Sequence, residues 1–291
     1  MGRTIETSHT STLTKTNYIG ILYVSVLAGI LFLLCGPFLS RADALKGIVL
    51  TEAAAIFLPA LFLRRVYRPR KHEGMALGEA ALLTVAVFPI ILVVNGVFLE
   101  GLSRIYLLEN QNLDLIREDV GLVKQILTIA LAPAIMEEFF FRGVLCELFS
   151  RRSPRGGVFL SAVLFALFHF ELQNSLAPFL FGLVLGYIYL YGGLKACIFS
   201  HFLYNLSSIL FIHFFNERWI STFSKTGVVL RLGGIKNATT ALLLVAGACG
   251  ITLILRTSGK RPLPRGKHVL RRKEWLPIAM LVAVYMINLW I

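Results

Sequence analysis

The sequence predicts an all-α, multi-pass transmembrane helical bundle of about eight or nine spans. Composition, the length of the apolar runs and the placement of the basic residues lead to that class. Only 15% of the 291 residues are charged and 56% are hydrophobic, whereas a soluble domain carries roughly 25% charged residues. Mean hydropathy is +0.74. The chain holds 29 Lys and Arg against 16 Asp and Glu, a net charge of +13. The basic residues fall in short connectors between apolar runs, so the excess reads as membrane topology and headgroup contact rather than nucleic-acid binding.

A spanning helix needs about 20 mostly apolar residues. Runs of that kind lie near 17–39, 46–63, 79–99, 121–149, 157–170, 176–193, 196–214, 238–255 and 276–291. The first is too long for a signal-peptide core and is expected to remain in the mature protein. Three connectors are strongly basic: residues 64–71, 151–156 and 256–275. Alternation puts all three on one side and the acidic stretch 100–120 on the other, which orients the N-terminus inside and the C-terminus outside. Cys35, Cys146, Cys197 and Cys249 lie within apolar runs and suggest neither a disulfide framework nor a metal knuckle.

Ionisable side chains inside a bilayer mark function by default, because each costs roughly 2.5–3.5 kcal/mol at the helix centre. Three runs carry them. In "EEFFFR", Glu138 and Arg142 are four apart and share a helical face, so they can pair. Glu137 is rotated by about 100° from Glu138 and needs a partner elsewhere. In "FALFH", His169 follows Phe165 by four; in "HFLYN", His201 and Asn205 share a face as a donor pair. A carboxylate and an imidazole can deprotonate one water between them, and donors opposite can hold an oxyanion. Glu, His and His could equally bind zinc with one position open. Glu137 and His169 come out at similar depths, roughly 21 Å and 18 Å along their helices, while His201 comes out shallower at roughly 9 Å. Glu52, Asn95 and Glu147 are covered by no motif and are expected to snorkel or pair locally. Phe139 to Phe141 read as lipid-facing or core packing.

The three runs, in this order and each on its own apolar segment, resemble the CAAX-processing and bacteriocin-processing (CPBP, or Abi) intramembrane endopeptidase family, whose pattern is EExxxR, FxxxH, HxxxN. The match covers about residues 120–215. It divides the chain into N-terminal helices with an acidic loop (1–119), a catalytic core (120–215) and C-terminal helices with a basic loop (216–291). The resemblance implies a polar chamber inside the bundle and a glutamic-type protease without a resident cofactor, zinc being the lesser alternative. It implies Glu137 as catalytic base with His169 on the attacking water, His201 and Asn205 as oxyanion donors, and Glu138 with Arg142 as the supporting ion pair. The implied partner is a peptide or membrane-anchored protein substrate in a prokaryotic cell membrane. The rival class is a non-catalytic bacteriocin-immunity or transport protein. A transporter is expected to show repeat symmetry or paired broken helices, and no internal repeat is evident.

Overall fold

Apolar runs fold as helices throughout, and the described residues contain no strand. The computed structural model describes residues 15–39, 44–66, 69–70, 72, 74–106, 121–214, 245, 247–252, 263–264, 266 and 269–289. Most of the acidic stretch 100–120 and of the run 238–255, and half of the basic connector 256–275, lie outside these.

Helix α1 is Lys15–Leu39. Helix α2 runs as Ala44–Glu52, a π-helical turn Ala53–Phe57, and Leu58–Val66. Helix α3 is Leu77–Leu102. Helix α4 is one rod built from Leu122–Gln125, a π turn Ile126–Leu131, Ala132–Phe140, a second π turn Phe141–Cys146, and Glu147–Ser150. Helix α5, Pro154–Leu167, starts on Ser153, whose hydroxyl accepts from the Gly156 N–H at 3.2 Å, with Pro154 at its first position. Helix α6 is Leu176–Phe214 and α7 is Trp275–Asn288.

Among the described residues, four helices are long and apolar enough to cross a membrane: Tyr18–Gly36, Leu45–Arg65, Leu77–Leu102 and Leu176–Phe211. That is fewer than the expected eight or nine. Helix α4 carries its glutamates and arginine in mid-rod, and α5 and α7 have only 14 residues each. Helix α6 hides a further pass. Its backbone leaves the helical region at Gly193 (φ 74°, ψ −172°). Beyond that point the chain doubles back: Phe181 stacks on Tyr204 at 4.0 Å, and the Cys197 thiol donates to the Leu185 carbonyl at 3.1 Å. On a straight helix Phe181 and Tyr204 would stand about 35 Å apart. Leu176–Phe214 is therefore a helical hairpin, with one arm before Gly193 and one after it. Only glycine adopts this φ/ψ readily, and a Cβ there would stand 3.1 Å from the His72 carbonyl oxygen.

The hairpin packs most broadly on α5 and α3, and also on the α4 rod, while α1 packs on α2 and α7. Two apolar clusters hold the bundle. One joins α1, α2, α4, α5 and α7 through residues such as Leu22, Ile56, Phe140, Phe141, Leu164 and Leu281. The other joins α3 to the hairpin through Val87, Phe181, Leu185 and Tyr189. Phe140 and Phe141 are fully buried, and Phe139 packs edge-on against Phe57 at 5.4 Å, so the phenylalanine run is core rather than lipid face. Leu27, Leu34, Leu58, Phe62, Leu82 and Val123 point outward, as bilayer-facing residues do.

One end of the bundle is fastened by a polar knot on Glu147. Its carboxylate takes Arg70 Nε at 3.0 Å, His72 Nε2 at 2.6 Å, Arg151 Nε at 3.1 Å and the Tyr189 hydroxyl at 3.1 Å. The Met75 N–H donates to the Tyr191 carbonyl at 2.7 Å, so the strap before α3 also holds the hairpin's turn. Expected to snorkel or pair locally, Glu147 instead draws partners from three elements. At the same end, Arg152 grips Glu274 through both nitrogens, at 2.5 and 2.9 Å, and lies over the Tyr18 ring.

Candidate active site

The motif residues converge between the middle of α4, the end of α5 and the second arm of α6. On α4 the ion pair forms as the spacing predicts: Arg142 Nη1 donates to Glu138 Oε1 at 2.7 Å, and neither side chain has any exposed surface. Arg142 sits in the second π turn, where the wider winding opens its far side. There Arg142 Nη2 donates to the Gly182 carbonyl at 3.3 Å, and its guanidinium lies 4.4 Å above the Phe165 ring. The absence of a Cβ on Gly182 lets this arm of the hairpin pack closely on α5, since a Cβ there would meet Ala162 at 3.0 Å. The phenylalanine of the second motif is thus the floor on which the arginine of the first rests, worth about 2 kcal/mol when desolvated.

His201 is held just as tightly. Its Nδ1 lies 2.8 Å from the same Glu138 Oε1. An ionised carboxylate can only accept, so Nδ1 carries the proton and donates. The ring is wedged edge-on between Phe165 and Phe181, with centroids 5.8 and 5.9 Å away. That orientation turns Nε2 toward Glu137 Oε2, at 3.7 Å. Glu137 keeps 14% of its side chain exposed, unlike the wholly buried Glu138.

The two adjacent glutamates therefore divide their work. Glu138 anchors an arginine and a histidine, and Glu137 stands outside the arginine pair, 14% exposed. His201 stands between them, a juxtaposition that spacing along the chain did not show.

His169 follows the last turn of α5. Its Nδ1 is 2.9 Å from the Phe165 carbonyl, and its ring meets Phe165 edge-on at 5.1 Å. The next residue, Phe170, has a left-handed backbone (φ 52°), costly for a bulky side chain. Its carbonyl accepts from Asn288 Nδ2 at 2.7 Å, which ties α7 to the turn that presents His169. Asn205 Nδ2 donates to the Ile129 carbonyl at 3.2 Å, inside the first π turn of α4. One amide N–H is thus committed to positioning and the other remains for a ligand.

The depth mismatch of His201 disappears in the fold. His72 contacts both Glu147 and the Gly193 turn, which puts these two at one level. From that level Glu138 is nine residues up its helix and His201 eight, roughly 13 and 12 Å.

Sequence reasoning missed Glu52. It does not snorkel: it is 5% exposed, and its Oε2 is buried with no hydrogen-bond partner among the described residues. The signal was available, since an ionisable residue in the middle of an apolar run is functional by default. No motif drew attention to it.

Among the described residues, no group of three or more His, Cys, Asp or Glu side chains is arranged to hold a metal ion.

Fold and site define a class: a polytopic helical bundle that holds a glutamate–histidine–arginine constellation in its apolar interior. Residues 119–207 match the family model described as Type II CAAX prenyl endopeptidase Rce1-like. Over those residues the chain is thus similar to that family, and the apolar helices around them fit a membrane protein. Nothing matches it among curated proteins or among solved structures.

Proposed function

We propose that the protein is an intramembrane endopeptidase of the glutamic type, hydrolysing a peptide bond in a membrane-tethered or lipidated peptide. One observation carries this reading: of the two adjacent glutamates, only Glu137 is free of the arginine pair, and it faces the anchored imidazole of His201 at 3.7 Å. In the reaction, Glu137 takes a proton from water and the water oxygen attacks the scissile carbonyl carbon. His169, with Nδ1 on the Phe165 carbonyl, has Nε2 to accept the water's other proton in a hydrogen bond. Charge develops on the carbonyl oxygen. To donate there, His201 must be the imidazolium, with its Nδ1 proton on Glu138 and its Nε2 proton toward the oxyanion. The spare Asn205 N–H is the second donor. The intermediate collapses by C–N cleavage as the proton held by Glu137 passes to the leaving amine. Glu138, itself held by Arg142, fixes the orientation of His201 and offers its charged form a counter-ion without touching the substrate.

The test compares matched membranes carrying wild type and Glu137→Ala. The mutant is expected to accumulate uncleaved precursors detectable by proteomics. Unchanged precursor levels and phenotype would return the protein to the immunity or transport class. Strong chelation is expected to leave cleavage intact; activity lost to chelation and restored by zinc would replace the metal-free mechanism. The basic connectors support an orientation with the N-terminus inside, and a reporter at residue 70 that reads extracytoplasmic would reverse it; the prokaryotic cell membrane rests on the family resemblance alone.

A further inference from the structure

Glu52 lies outside the matched domain, on the N-terminal helices. It closes the regular stretch Ala44–Glu52 at the point where α2 enters its π turn. Such turns re-aim side chains and recur at functional sites. The side chain is 5% exposed, and its Oε2 is buried with no hydrogen-bond partner among the described residues. The stretch packs against the motif segment Ala132–Phe140, and the Glu52 carboxylate lies within electrostatic reach of Glu137.

A lone buried carboxylate costs far more than its packing returns unless it is paired or protonated. Here the neighbour is another carboxylate. Two carboxyl groups close together in a water-poor interior do not both ionise; they share a proton.

We propose that Glu52 is a positioning residue for the base: Glu52 and Glu137 hold one proton between them, and the singly protonated pair is the working form of the site. This rests on the endopeptidase reading for its role in catalysis, but not for the sharing itself. The shared proton leaves Glu137 able to ionise beside His201, while Glu52 remains neutral in its partnerless setting. A proton shared in this way also fixes the direction of the Glu137 carboxylate.

The other groups facing the pair are few. From α4, Glu138 and Arg142 act on Glu137; from α6, His201 does. The π turn Ile126–Leu131 contributes no charged residue. On α1, Tyr18 bonds to the Leu148 carbonyl, Tyr23 points outward and Cys35 is half-buried. Arg64, at the far end of α2, stacks on Phe139.

The experiment uses the full-length protein in lipid bicelles with two readouts. Infrared spectroscopy near neutral pH reads the carbonyl stretch of a protonated carboxylic acid. The proposal expects that band in wild type and its loss in Glu52→Gln, because the Glu137 left behind ionises beside Arg142 and His201. A band that persists in Glu52→Gln, or is absent from wild type, overturns the proposal. The second readout is the pH profile of kcat/KM on a precursor recovered from Glu137→Ala membranes. Loss of the second proton forms the alkaline limb in wild type, and in Glu52→Gln that limb moves up by about one pH unit or more. Glu52→Leu lowers kcat by about tenfold or more with KM little changed, a split that a purely structural side chain does not produce. A cleaving enzyme whose limb is the same in both proteins overturns the proposal alone. Normal infrared behaviour without cleavage by wild type overturns the endopeptidase reading and leaves the shared proton standing.

Discussion

Removing the positive member of the buried pair separates what Arg142 does for stability from what Glu138 does for chemistry. Arg142→Met keeps the unbranched stem and deletes the charge. Three contacts go: the 2.7 Å bond to Glu138, the 3.3 Å bond to the Gly182 carbonyl and the 4.4 Å stacking on Phe165. Glu138 is left with no exposed surface and with His201 as its remaining polar partner. Breaking a buried pair in this way costs about 3–5 kcal/mol, mostly because the surviving charge is uncompensated. In a chain of this size that lowers the melting temperature by on the order of 10 °C. Adding Glu138→Gln removes the stranded charge, and the double variant is expected to regain most of the loss, a coupling of about 2–4 kcal/mol. Activity follows the opposite course. Without the Glu138 carboxylate, the His201 imidazolium loses its counter-ion and donates less well to the oxyanion. In a catalytic triad a similar loss costs about 10⁴ in kcat; here about 10²–10³ is expected, since the aromatic wedge still holds the ring. The assay is thermal unfolding in bicelles alongside precursor cleavage. An Arg142→Met protein as stable as wild type, or a double variant that regains activity with stability, would refute the argument.

Two further outcomes follow from the geometry. As oxyanion donors, His201 and Asn205 are expected each to lower kcat by about 10²–10³ when replaced by Ala, with KM little changed, whereas an effect confined to KM would contradict the role. At the foot of α7, burial pushes the Glu274 carboxylate up, but the Arg152 hydrogen bond, the Arg271 N–H and their charges outweigh it and hold Glu274 below the usual range. Stability from a depressed carboxylate is present above the unfolded value and drains as pH falls through the folded one. The melting gap between wild type and Glu274→Gln should therefore be constant above about pH 5 and close on further acidification; a gap that widens in acid would show the sign to be wrong.

Much of this was legible in the chain. Apolar runs predict helices because lipid offers the backbone no other partner, and the i,i+4 rule placed Glu138 on Arg142. The rest needed three dimensions. Nothing local distinguishes the glycine at 193 from its neighbour Gly192, yet its φ decides whether α6 is one rod or two arms. The shallow depth expected for His201 assumed that the turn before it lies at the membrane surface; the strap carrying His72 and Met75 packs on that turn instead. Likewise, His201 meets both glutamates because two helices far apart in sequence end at one level. Glu52 was visible as a charge in the wrong solvent, but its direction depends on a π turn that periodicity does not announce.

The knot on Glu147 acts as a common datum for the bundle. Arg70 and His72 come from the N-terminal half, Glu147 from α4, and the hairpin's turn rests against the same strap. Helices anchored at one plane carry their functional side chains at matching heights, so catalytic register is set by the distance to a fastening roughly 13 Å below. The span recognisable as a family domain does not include that fastening. Residues 119–207 contain neither Arg70 nor His72, nor Glu52. The matched core thus borrows its ruler from the unmatched part of the chain, and a protein cut to the domain boundaries would keep every motif but lose the plane from which they are measured.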